Sequence, residues 1–324
     1  MELDCQVTVK GLPEETSRRI GNTVAGMVKA LSQGDEALDL RRMSDIVITV
    51  DLAGELAELS RRTASGNPIT YTAEAYATAI GKVLILPRGD DREIVLVLDA
   101  RIRGFSAPTA YHLWHHELCH VHDSNKHLDA FPTIMLRQCY EGKDIFVRPL
   151  AERCWSEYVA VLMSSPTATN DWVAAMTNGL ADAIARTRRK IDREILWYRF
   201  HGDLNHLMQE FQRHGDFLPE VASYVLGYID GLGKPLSELC SPAAERLRGS
   251  YFETTWNALQ EALREMKRLY PDGWKDLSVY DDLARVLEDY YSKMGLVLST
   301  TDNGVAYVDV PFRSGTTPNP NDGV

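Results

Sequence analysis

Residues 111–123 read Tyr-His-Leu-Trp-His-His-Glu-Leu-Cys-His-Val-His-Asp, and within them His116, Glu117 and His120 spell H-E-x-x-H. On an α-helix, residues four apart are separated by about 40° in projection, so the two imidazoles face the same way and can hold one ion. Glu117 sits about 100° further round, beside that ion, where its carboxylate can take a proton from a metal-bound water. Histidine and carboxylate donors around an open tetrahedral site suit zinc. With 9 histidines in 324 residues, the pattern arises by accident in only roughly 2% of comparable chains.

The flanking sequence supplies a helix for the motif. Ser106 is a candidate N-cap and Pro108 falls in the first turn, which predicts a helix through about Asn125. Upstream, Val83–Leu86 and Ile94–Leu98 are β-rich runs joined by the turn-like PRGDDRE, a predicted hairpin. Earlier still, Asp45–Val50 (DIVITV) reads as a buried strand. A helical stretch at 52–59 follows it, broken by Ser65-Gly66-Asn67-Pro68. Leu12-Pro13-Glu14 opens a helix carrying Ile20, Val24, Met27 and Leu31 on one face, with Gly34 as its C-cap.

Downstream, Pro149 at a first helical position starts a helix that Ser164-Ser165-Pro166 ends. Val173, Met176, Leu180, Ile184, Ile191 and Ile195 trace one long helix, and helical stretches continue to about Lys293. Residues 295–299 and 305–310 flank Asp302-Asn303-Gly304, a type I′ hairpin signal. The expected fold class is α+β. A catalytic half, residues 1–166, combines a small sheet with active-site helices. A mainly helical region, 167–312, ends in the hairpin, and the tail 313–324 reads as disordered.

A third protein ligand must come from elsewhere. The metzincin pattern requires Gly at 123 and His at 126, and this chain has Asp123 and Lys126, with His127 one position late. The helix at 151–162 (AERCWSEYVAVL) offers Glu152 and Glu157. Glu157 is the better candidate, because Ala160 at i+3 lets two helices approach closely enough for a short carboxylate to reach the ion. Glu152 is expected in the first turn of its helix, where the dipole alone favours an acid. His112 and Asp123 share the ligand face, and Asp123 can orient a ligand imidazole from outside. His115, Cys119 and His122 lie on another stripe and read as packing or surface residues.

Composition narrows the function classes. The net charge of −11 disfavours a phosphate-binding face, so no nucleic-acid partner is expected. No apolar run approaches the 18 residues a bilayer requires, and Met1-Glu2-Leu3-Asp4 does not begin a signal peptide. Five scattered cysteines without a C-x-x-C pair read as reduced thiols of a cytoplasmic protein.

Helix, strand, hairpin, the helix of His116, Glu117 and His120, then a helix with Glu157-Tyr158-Val159-Ala160 and Leu162-Met163 before Pro166: in this order the chain resembles the gluzincin metallopeptidases, most closely the minimal ImmA/IrrE kind. The resemblance covers roughly residues 14–166. It departs in Cys119, where a small residue such as glycine is common, and in a longer gap to the glutamate. It implies zinc-dependent hydrolysis of a protein or peptide substrate, with His116, His120 and Glu157 as ligands and Glu117 as general base. It also implies an edge strand that pairs with extended substrate, which on the sequence is Arg92–Leu98. An oxyanion-stabilising His or Tyr is usual in the class, and Tyr158, Tyr198, His201 and His206 are the candidates. The competing reading is a zinc-binding regulatory protein that keeps the scaffold and docks a partner through its helical half. Glu117 argues for chemistry, since a purely structural zinc site needs no base beside its ligands.

Overall fold

A computed structural model of the chain describes residues 5–34, 37–61, 73–74, 77–78, 80–89, 91–132 and 140–312. The expected break at 65–68, Cys139 and the tail 313–324 lie outside these residues. The chain is mixed α+β and forms two units, Met1–Asp129 with Met163–Thr169, and Ala130–Leu162 with Asn170–Val324. The division therefore does not follow a single cut near residue 166. The chain enters the second unit at Ala130 and returns to the first for seven residues at the end of one helix.

The first unit is built on β1 (Gln6–Lys10), α1 (Glu14–Leu31), β2 (Met43–Thr49), α2 (Leu52–Ser60), the short β3 (Ala73–Glu74) and β4 (Ala77–Thr78), β5 (Gly81–Arg88), β6 (Asp91–Asp99) and α3 (Ala107–Ala130). α1 is the crossover that parallel pairing of β1 with β2 requires. The expected hairpin is β5–β6, paired from Gly81↔Leu98 to Arg88↔Asp91. β1, QVTVK, is too short to announce itself and had no counterpart in the sequence reading.

The strand order is β1-β2-β6-β5. This corrects the expected edge strand. β6 pairs in parallel with β2 on one side and antiparallel with β5 on the other. The outer strand among the described residues is therefore Gly81–Arg88, not Arg92–Leu98. The reason is visible in burial: Ile94 through Leu98 are at most 1% exposed, too apolar on both faces to be an edge. One face, with Val47, Leu84, Leu86, Val95 and Val97, packs with Leu52, Leu56 and Leu59 of α2. α2 is capped by Asp51, whose Oδ1 accepts from Gly54 N at 2.9 Å.

The second unit contains most of α4 (Asp144–Ser164), then α5 (Asn170–His201), α6 (Leu204–His214), α7 (Phe217–Leu232), α8 (Leu236–Leu239), α9 (Ser241–Leu247), α10 (Glu253–Leu269), α11 (Asp281–Met294), β7 (Val297–Thr300) and β8 (Ala306–Asp309). α5 is the long helix expected, with Val173, Leu180, Ile184, Ile191 and Ile195 buried along one stripe. α4 starts five residues before Pro149, so that proline lies inside the helix. Its missing N–H deprives the carbonyl of Ile145, a residue 41% exposed, so water can serve that group instead.

The β7–β8 hairpin is present, but its turn is not type I′. That turn needs positive φ at both central residues. Here only Gly304 has it, at +76°. Thr301 N donates to Val305 O and Gly304 N to Thr301 O, which is a three-residue loop closed by a left-handed glycine. No helix among the described residues is long and apolar enough to cross a membrane.

Candidate metal centre

The local sequence delivers the motif helix in two steps. Asp99, at the end of β6, accepts from Arg101 N at 2.7 Å and caps a short 3-10 turn over Ala100–Gly104. Ser106 Oγ then accepts from Thr109 N at 3.4 Å, the expected cap of α3. α3 continues to Ala130, five residues past the expected end, because the 37–42 segment clasps its last turns. Asp39 N donates to His122 Nδ1 (2.8 Å), Asn125 Nδ2 to Asp39 O (2.9 Å), and Lys126 pairs with Asp39 (3.0 Å).

His122 thus accepts a backbone hydrogen bond at Nδ1 and serves packing, as expected of its stripe. His112 and His115 do similar work on the other side. Both present Nδ1 to Thr167 Oγ1, at 3.2 and 3.0 Å, and that hydroxyl donates to Ser164 O at 2.8 Å. Burial, reinforced by neighbouring imidazoles, pushes His112 and His115 down to about 4, so both are neutral at pH 7. Cys119 is fully buried and desolvation pushes its thiol up, consistent with packing rather than nucleophilic chemistry.

His116 and His120 meet as their spacing requires. Their Nε2 atoms lie 3.1 Å apart and their rings are edge-on, at 85°. Two nitrogens bound to one tetrahedral zinc at about 2.05 Å would be about 3.3 Å apart, so the observed separation nearly matches. Two imidazole nitrogens so placed are a donor pair suited to zinc. Glu157 lies on α4, in the second unit.

Glu157 is held by the packing of α4 within its own unit. Arg153 pairs with Asp216 (3.0 Å) and Glu220 (2.6 Å), and Tyr158 donates to Asp230 at 2.6 Å. A Cβ on Gly227 of α7 would come within 2.7 Å of Tyr158 O, so glycine there permits the close approach of α7 to α4. Glu152 is a mid-helix residue, not a first-turn acid, and accepts from the Tyr140 hydroxyl. Its place there owes nothing to the helix dipole, and a spacing of five residues along α4 puts it about 140° in projection from Glu157.

Asp123, Tyr158, His201 and His206 have identifiable partners. Asp123 is buried, and His127 Nδ1 lies 3.4 Å from its carboxylate. Tyr158 has its hydroxyl on Asp230. His201 stacks on Trp197 and bonds that residue's carbonyl at 2.8 Å, and His206 lies 3.4 Å from Glu194. Tyr198 sits one residue beyond Trp197 on α5.

One residue escaped the sequence reading. A Cβ on Gly81 would stand 2.5 Å from both Cδ and Oε2 of Glu117, so the first residue of β5 abuts the motif carboxylate. A glycine opening a strand carries no local signal of that neighbour. No protein-family model, curated protein or solved structure matches this chain.

Proposed function

We propose that the chain is a zinc-dependent metallopeptidase. The observation that carries this reading is the His116 and His120 Nε2 pair, 3.1 Å apart, with Glu117 next in sequence to one of them. The chemistry a zinc ion supplies there is acidification of water and polarisation of the scissile carbonyl. Glu117, 8% exposed, accepts the proton of the attacking water and hands it to the departing amine, so one carboxylate serves first as base and then as acid. Its burial keeps bulk water from competing for that proton.

The substrate is a peptide in extended conformation. Asp99 N donates to Ile80 O at 2.7 Å, so Ile80 turns its polar groups toward β6 and Gly81 turns its own toward the open side of β5. Val83 and Ile85 follow with the same alternation, a ladder unpaired among the described residues and suited to β-augmentation beside Glu117. Cys119, Cys154 and Cys240 are buried free thiols, which supports the cytoplasm as the working compartment.

Metal analysis of the purified protein, with cleavage of a peptide library read by mass spectrometry, tests the reading. About one zinc per chain is expected, lost in His116→Ala and His120→Ala, together with all cleavage. Zinc absent from the wild type, or unaffected by either change, rules it out.

A further inference from the structure

Gly81 is not explained by backbone conformation, since its φ lies outside the left-handed region. Space explains it. An added Cβ would lie 2.5 Å from Glu117 Cδ and Oε2, and 2.8 Å from Leu98 Cδ2. Gly81 and Leu98 are directly paired across β5 and β6, in the non-hydrogen-bonded arrangement that brings side chains closest. Leu98 is fully buried and has no room to withdraw. Of the two neighbours, the one that can yield is the rotatable end of Glu117.

We propose that Gly81 is a positioning residue for Glu117: the missing side chain at the head of β5 defines the place of the carboxylate. This rests on the metallopeptidase reading, in which that carboxylate moves the proton. An alanine at 81 must be relieved from 2.5 Å to an ordinary contact of 3.4 Å or more, a displacement of about 1 Å. Such a displacement is cheap for the fold, because the moving group ends a side chain. It is costly for chemistry, because a reacting group misplaced by about 1 Å can lose about 10²-fold in rate.

The test is the Gly81→Ala protein with zinc alone as the metal probe and oxidised insulin B chain as a peptide probe. Zinc affinity by chelator competition should stay within threefold of wild type, and the melting midpoint should barely move. A crystal structure should show the Glu117 carboxylate displaced by about 1 Å with β5 and Leu98 in place. Cleavage should fall by about 10–100-fold in kcat with KM little changed. Shortening the neighbour, in Gly81→Ala/Glu117→Asp, should cost less than the two single changes combined. An unmoved carboxylate, or a shift of Leu98 or β5 instead, overturns the proposal. Loss of zinc or of cooperative melting in Gly81→Ala also overturns it, since the glycine then serves the fold. Wild-type protein that holds no zinc overturns the underlying reading, and the positioning role with it.

Discussion

Tyr158, one residue along α4 from Glu157, donates its hydroxyl to Asp230 Oδ2 at 2.6 Å, and the same carboxylate receives Arg264 at 2.6 Å. Residues one apart on a helix diverge by about 100°, so the carboxylate and the phenol leave α4 in different directions. The phenol is a clamp on α7. Removing it in Tyr158→Phe is expected to cost about 1.5–3 kcal/mol of stability, the range for a hydrogen bond to a charged group. Peptide turnover should change by no more than a few-fold. A chemical denaturation curve with a kcat measurement decides this. A loss of about 10²-fold in kcat at unchanged stability would return Tyr158 to the oxyanion role.

Glu157→Ala should weaken zinc binding by at least about an order of magnitude, because a two-histidine site lacks its anionic donor. Glu152→Ala should leave zinc affinity unchanged. It removes the acceptor of Tyr140 and should cost about 1 kcal/mol of stability. Chelator competition on both variants is the measurement, and reversed affinities would exchange the two assignments.

Glu117→Gln should keep the metal and the fold while lowering turnover by at least about 10²–10⁴-fold, since an amide cannot accept the water proton. Zinc content and kcat on the same preparation check it. Cleavage at the wild-type rate would exclude Glu117 as the base.

Native protein treated with iodoacetamide at pH 8 should be modified at half-buried Cys5 and spared at Cys119 and Cys154. Both spared thiols are fully buried and pushed up by desolvation. Peptide mapping before and after denaturation reads the contrast. Rapid native labelling of Cys119 would mean that α3 opens.

Asp216 carries the pH prediction. Burial raises its carboxyl from 3.8 to about 7, against the opposing pull of Arg153 and the Tyr291 hydroxyl, with Glu220 adding to the rise. The folded state therefore holds this proton more tightly than the unfolded chain. Its contribution to stability is complete below pH 3.8 and is lost as pH rises through about 7. Asp216→Asn should gain stability relative to wild type as pH climbs across that window. Urea denaturation at half-unit intervals measures the difference, and a constant or falling difference would contradict the assigned shift.

Much of the architecture was legible because it is local. The cap at Ser106, the alternation in β5 and β6, and the apolar stripe of α5 each act within a few residues, where backbone geometry and side-chain burial set the outcome. Pro149 misled because its φ suits a helix start, whereas α4 begins earlier and leaves the unbonded carbonyl at exposed Ile145. The type I′ signal of Asn303-Gly304 yielded to a turn in which only Gly304 is left-handed.

The sequence by itself determined that His116 and His120 face one way and that Glu117 stands beside them, because a helical repeat of 3.6 residues leaves no alternative. Tertiary structure alone decided which strand is the outer one, since that depends on β2 occupying the far side of β6. It also decided that Glu152 meets Tyr140. Only through space, too, does Gly81, 36 residues before Glu117, come to abut its carboxylate. Pairing and close approach between distant segments depend on how whole faces pack, and no spacing within one helix or strand encodes them.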